Sequence, residues 1–363
     1  MERSRGRPGR RGRGGTKQIM ATVDEVAPAE PLWVEVTRGD LVESRHRASA
    51  AVVDAEGRVV LRAGDIAAVI YPRSAVKPIQ ALALVESGAA EAYGVSDAEV
   101  ALACASHAGE PRHVAAVAAW LERIGRTPDD LECGTHLPYS WQATTELLRA
   151  GQAPSLLQNN CSGKHTGFLT LALHQGWRTG GYIDYAHQVQ QRVLGILESM
   201  CGLDLGQAPW GIDGCGIPTI GVPLGNVALA MARLAVPDDQ PDRRQAACAR
   251  VRQAMTAEPF MISGSSRFCT RVIETTAGRA LVKVGAEGVY GATFPDLGLG
   301  AALKVEDGAG RGAEVALGYL LRRLDVIGEA EAAALSDLLE PPVTNRAGRI
   351  VGRLRVANDD AAG

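Results

Sequence analysis

Lysine is scarce in this chain. Only five of its 38 basic residues are lysine (Lys17, Lys77, Lys164, Lys283 and Lys304), and the rest are arginine. Arginine keeps its proton at any working pH, whereas lysine surrenders one in suitable surroundings. A surface charged with arginine makes each lysine a candidate for chemistry. Aromatic residues are also few, 16 of 363. No apolar run approaches the roughly 18 residues of a membrane span, so no membrane partner is expected. An N-terminal secretory core is likewise absent. The seven cysteines are scattered and odd in number, a usage that fits reduced thiols in a cytoplasm better than a disulfide framework.

Charge is unevenly spread. Seven basic residues against Glu2 put residues 1–17 at +6, so the remainder carries −9 of the net −3. Residues 1–30 read as a disordered Arg/Gly-rich extension, and Met20 is an alternative start. Residues 31–356 read as a single catalytic domain and 357–363 as a tail. The acidic body argues against nucleic acid as a partner, apart from contacts by the basic tail.

The pattern predicts a hairpin over 48–65, turning at Asp54-Ala55-Glu56-Gly57. Helices are expected over 75–92, 111–124 and 163–174. Another, over 185–201, is expected to be capped by Asp184 and closed by Gly202. The Gly- and Pro-rich "GIDGCGIPTIG" (211–221) reads as a tight loop. Three short strands, "GRALVKV", "EGVYGATF" and "LGAALKV", precede a helix over 311–325 and a last strand over 349–356. This order predicts a mixed α/β domain whose two chain ends share one sheet.

Ser74 and Lys77 form the one S-x-x-K of the chain. Three positions apart they share a helical face, and an uncharged lysine can take the proton of a serine hydroxyl. An ordinary lysine, near pKa 10.4, needs about 4 kcal/mol of bias toward its neutral form to do so near neutrality. Pro78 disfavours helical geometry at Lys77, so the pair sits either on a helix or in a turn before one. Lys283-Val284-Gly285 opens the late strands. S-x-x-K early with K-x-G on a late strand is the pairing of serine β-lactamases and penicillin-binding proteins. In "CASHAGEPRH" (104–113), Ser106 is a second candidate hydroxyl, while His107 and His113 read as ordinary loop and helix-start residues.

"NNCSGKHTG" (159–167) admits several readings. A phosphate-binding Walker loop fails, because Gln158 and His165 stand where glycine and Ser/Thr are required. A Cys161–His165 nucleophile pair is possible. A metal reading, with Cys161 and Lys164 at half-site spacing and Cys215 as a further ligand, favours zinc. A buried cysteine beside a solvated lysine is the plain alternative.

Taken together, "TRGDLVESRHR", "YPRSAVKPIQALALVESGAA", "CASHAGEPRH", "NNCSGKHTGF", "GIDGCGIP", "VKVGAEG" and "VGRLR" resemble the Rhizobium-type, or class 3, L-asparaginases, in family order over residues 32–356. The resemblance implies a β-lactamase/DD-peptidase-like α/β fold, with a mainly antiparallel mixed sheet packed with helices, and a homodimer. It implies Ser74 as nucleophile with Lys77 as base, and Ser106 with Lys283 as a second tandem assisting proton transfer. It further implies zinc held by Cys161, Lys164 and Cys215, with Arg73, His165 and Asp213 beside the substrate. Cys269 falls where the family can carry a reactive cysteine.

The expected activity is hydrolysis of L-asparagine to L-aspartate and ammonia. A glutaminase, or another serine amidase or β-lactam hydrolase on the same scaffold, is the nearest alternative. A non-catalytic zinc- or nucleic-acid-binding protein is the alternative from another class. If Lys77, Lys164 and Lys283 converge, like-charge repulsion will depress their pKa values.

Overall fold

The computed structural model of the protein describes residues 27–357. The first 26 residues of the expected extension and residues 358–363 of the tail lie outside them. Ala29 and Glu30 already exchange backbone hydrogen bonds with Gly64.

Eight strands form one wholly antiparallel sheet, running in the order Pro342–Thr344, Ile350–Val356, Leu32–Arg38, Leu41–Asp54, Leu299–Val305, Val289–Phe294 and Leu281–Val284, with Val59–Ala63 branching from Leu41–Asp54. The expected hairpin is present, and its first strand begins seven residues earlier than the pattern predicts. The expected sharing of one sheet by both chain ends is also present: Val34 pairs with Val356 and Val36 with Leu354.

Helices cover both faces. Leu224–Ala235 lies so close to the sheet that a Cβ on Gly300 would meet the Ala232 nitrogen and Ala228 oxygen, so only glycine lets that backbone approach. Gly312, on helix Gly310–Arg323, presses against His46. In the antiparallel register Gly300 faces with Val53, and alternation puts His46 on the opposite side. The two helices therefore sandwich the sheet. Strands Val289–Phe294 and Leu299–Val305 are buried at nearly every position.

Lys283 pairs with Gly291, which pairs with Ala302, so it shares the face of Gly300. On that face lie the helices built from residues 73–275. A Cβ on Gly291 would meet Met231 and approach the Ala75 carbonyl. This brings the edge strand of Lys283 against the turn of Ser74.

Two local expectations need correction. Asp184 does not cap the helix after it: the helix is Gln188–Cys201, and His187 Nδ1 accepts from the Val189 N–H at 3.1 Å. Residues 211–221 are not merely loop, since Trp210–Ile212 and Pro218–Ile220 form a small antiparallel pair around Gly216, whose φ of 88° suits glycine. Among the described residues no helix is long and apolar enough to cross a membrane. All seven cysteines are free and buried.

Candidate active site

Ser74 lies in the 3-10 turn Arg73–Val76, and Lys77 begins helix Lys77–Glu86, with Pro78 tolerated in its first turn. Of the two geometries open to the pair, the structure takes the turn. Three residues per turn eclipse positions 74 and 77 on one side. Ser74 is half-buried and Lys77 buried. Arg73, just before Ser74, holds a left-handed φ of 52°. Such strain in a non-glycine residue costs roughly 1–3 kcal/mol and persists where surroundings enforce it. The enforcing contact is Asp213, whose Oδ1 accepts from Arg73 Nε at 2.8 Å and Nη2 at 2.7 Å.

The Lys77 amine makes no hydrogen bond to Ser74 among the described residues; its donors go to Ala105 O, Ser106 Oγ at 3.1 Å and Cys161 Sγ at 3.1 Å. Lys283 Nζ reaches the same Ser106 Oγ at 2.7 Å and Val284 O at 2.6 Å. The two serine–lysine pairs thus meet as one buried cluster with Ser106 between both amines. Burial, reinforced by the charge of Lys77, pushes the Lys283 amine far below its usual lysine value. Ser106 follows helix Asp97–Ala103 in an extended stretch pinned by Ser106 N–H to Ile262 O at 3.0 Å.

Cys161 precedes helix Ser162–His174, which carries Lys164 and His165 in its first turn. The glycine of "CSGKH" has a packing reason: a Cβ on Gly163 would lie 2.6 Å from Leu102 O. Bare backbone at Gly163 lets this helix close on Asp97–Ala103, which draws Cys161 toward Lys77.

Lys164 Nζ donates to Cys215 Sγ at 3.1 Å, and both are buried. Hydrogen bonding from Cys161, aided by Lys164 against the penalty of burial, lowers the Cys215 thiol to about 5. Its hydrogen bond to Cys215, with burial, pushes Cys161 up to about 12. Burial opposes the charge on Lys164, but the two cysteines raise its pKa overall. Two sulfurs and one nitrogen in a buried cluster suit a soft cation such as zinc, provided the amine and Cys161 give up their protons on binding. Among the described residues no group of three His, Cys, Asp or Glu side chains has metal-binding arrangement, so a metal here would require Lys164. Burial raises the Asp213 carboxyl, but Lys164 and Arg73 together hold it below its ordinary value.

His165 is fully buried. Its Nδ1 lies 2.8 Å from Tyr182 Oη, and its Nε2 has no partner. Burial, then Lys164, lowers it to about 3. His107 is structural as expected, bonding Ser162 Oγ at 2.9 Å and stacking on His113. Cys269 is buried near Lys283 and its thiol is pushed up by burial, the opposite of an activated thiolate. Sequence reasoning missed Tyr182, and it missed Arg267, whose Nη1 donates to Ser106 O at 3.0 Å. Neither stands in a motif with distinctive spacing.

The sequence profile of the family described as L-asparaginase II matches residues 34–356. The chain belongs to that family, a family of amidohydrolases. No curated protein matches it in sequence. Among solved structures, Mglu in its native form is 16% identical, with a TM-score of 0.41 over 77% of this chain and 60% of its own. A β-lactamase from Mycobacterium bovis is also 16% identical, with a TM-score of 0.38 over 80% of this chain and 95% of its own. The chain thus spans three fifths of the length of Mglu.

Proposed function

We propose that this protein hydrolyses L-asparagine with water to L-aspartate and ammonia. The observation that carries the proposal is the buried Ser106 hydroxyl held by two lysine amines beside the turn of Ser74. Ser106 has one hydroxyl proton, and an uncharged Lys283 is the acceptor next to it. Lys77, with three donors engaged, is the matching ammonium. Passing the Ser106 proton to Lys283 and refilling it from Lys77 leaves Lys77 neutral and able to take the proton of Ser74.

Ser74 is the nucleophile because it is half-exposed to an arriving substrate, whereas Ser106 is enclosed. Its Oγ bonds to the side-chain amide carbon, the carbon–nitrogen bond breaks, and the departing nitrogen takes the proton from Lys77 as ammonia. Water then attacks the acyl-enzyme, restoring the Ser74 hydroxyl and releasing aspartate. The N–H groups of Ser74 and Ala286 donate no hydrogen bond among the described residues, which makes them our candidates for stabilising the oxyanion. Asp213 and Arg73 at the mouth, and the unpartnered His165 Nε2, are the proposed polar contacts to substrate.

Zinc on Cys161, Lys164 and Cys215 would supply a fixed positive charge beside the pocket. A homodimer and a cytoplasmic location belong to the same proposal. Ammonia release from asparagine and from glutamine, with ring opening of a β-lactam followed in parallel, measured on purified protein and on Ser74→Ala, tests it. Asparagine is expected to be preferred, with activity lost in the variant. Since one methylene is worth only about 1–3 kcal/mol in a pocket, a preference for glutamine would reassign the substrate. An unimpaired Ser74→Ala enzyme would overturn the nucleophile.

A further inference from the structure

A free α-amino acid brings a carboxylate as well as the amide to be cleaved, and the basic groups already described are engaged. Arg73 is bonded to Asp213, Lys77 and Lys283 to Ser106, and Lys164 to Cys215. We propose that Arg267 receives the substrate's α-carboxylate and thereby restricts the site to amino acids with a free carboxyl group. The inference rests on the amidohydrolase function proposed above and names its specificity.

Arg267 is a half-buried guanidinium that forms no salt bridge among the described residues. It donates from Nη1 to Ser106 O at 3.0 Å, and its carbon lies 5.6 Å from the centre of the Tyr139 ring. The residue it holds is the one whose hydroxyl both lysines share. Glu314, an acid in its vicinity, is engaged instead by Tyr290 Oη at 3.1 Å. A guanidinium has five N–H donors in a planar fork that matches a carboxylate two-to-two, and Arg267 spends one of them on protein.

The backbone holding it is forced. Gly264 has φ of 99°, and a Cβ there would lie 2.5 Å from Glu110 Oε1. Glu110 then grips Ser265 twice, accepting from its N–H and from its Oγ, each at 2.8 Å. Ser266 follows at a left-handed φ of 59°. Strain imposed on a serine by clamps on either side is the signature of a side chain held where its function needs it.

L-aspartate and β-alanine differ only in the α-carboxylate, so calorimetric titration of both into the full-length protein isolates it. Wild type is expected to bind aspartate about 10- to 100-fold more tightly, the range of a charged hydrogen bond. Arg267→Gln is expected to bring the ratio near one. A preference kept by Arg267→Gln, or absent from wild type, overturns the inference. Should the glutamine variant not fold, Arg267→Lys is measured the same way. A point charge without the fork should keep only part of the preference, and full retention overturns the inference. Ammonia release by wild type is followed alongside. Its absence would end the asparaginase proposal and leave the aspartate-to-β-alanine ratio to judge Arg267 independently.

Discussion

Lys283 lives in surroundings that favour its uncharged form, and that has consequences for both rate and stability. Between its depressed folded value and the usual lysine value near 10.4, the unfolded chain binds a proton that the folded chain does not. Stability contributed by this group therefore rises with pH across that window, by about 1.4 kcal/mol per pH unit where the difference is a full proton. Lys283→Met removes the slope and the buried amine together. It is expected to stabilise the fold at neutral pH by about 1–4 kcal/mol while lowering kcat by about 10²–10⁴-fold. Urea midpoints measured from pH 7 to 10, beside ammonia release, check both halves. A variant less stable than wild type at every pH would show that the amine is not held neutral. The Cys161, Lys164 and Cys215 cluster makes a second demand at this scale. Zinc added to chelator-treated protein is expected to raise Tm, and Cys215→Ser to abolish the rise; equal shifts in both would place zinc elsewhere.

Among the elements, helix Ser162–His174 tests how a single missing side chain positions chemistry. Gly163→Ala puts a methyl 2.6 Å from Leu102 O, whereas at Gly167 the nearest atoms are 3.5 Å away. Overpacking at 163 is expected to cost about 1–3 kcal/mol and to separate Cys161 from Lys77. Gly167→Ala should stabilise by up to ~1 kcal/mol through helix propensity alone. Opposite shifts in the urea midpoints are the expected result, and matching ones would refute the packing argument. Glycine in a helix was visible in the sequence, but not the element it faces.

The same limit recurs elsewhere. Strands with glycine turns and the amphipathic Gly310–Arg323 were legible because alternation and a polar face mark them. Helix Leu224–Ala235, enclosed almost all round, has no wet face and so no periodicity to read. The three lysines of the candidate site stood out through arginine's dominance. That both Lys77 and Lys283 converge on Ser106 required the register of an edge strand over 200 residues away from the first pair, which no local pattern encodes.

Seen as one body, the chain leaves the sheet after the early hairpin, builds the helical layer, and returns at Leu281–Val284. Ser74, Lys77, Ser106 and Cys161 come from that layer and Lys283 from the sheet, so the site exists only when the two are docked. The first and last strands of the described residues, Leu32–Arg38 and Ile350–Val356, are by contrast neighbours in the other half of the sheet. Ala357 N–H bonds to Trp33 O at 2.7 Å, close enough for a short flexible linker to join residue 357 to residue 32. A permutant joined there and opened between Gln152 and Ala153, both exposed, severs no strand and no site residue from its element. It is expected to keep ammonia release near wild type with a modest loss of Tm. Opening instead between Ser162 and Gly163 splits the helix that carries Lys164 from Cys161, and should abolish activity even where circular dichroism reports folded protein. Activity surviving the second cut, or lost at the first with the fold intact, would mean that the helical layer does not act as one rigid partner to the lysine strand.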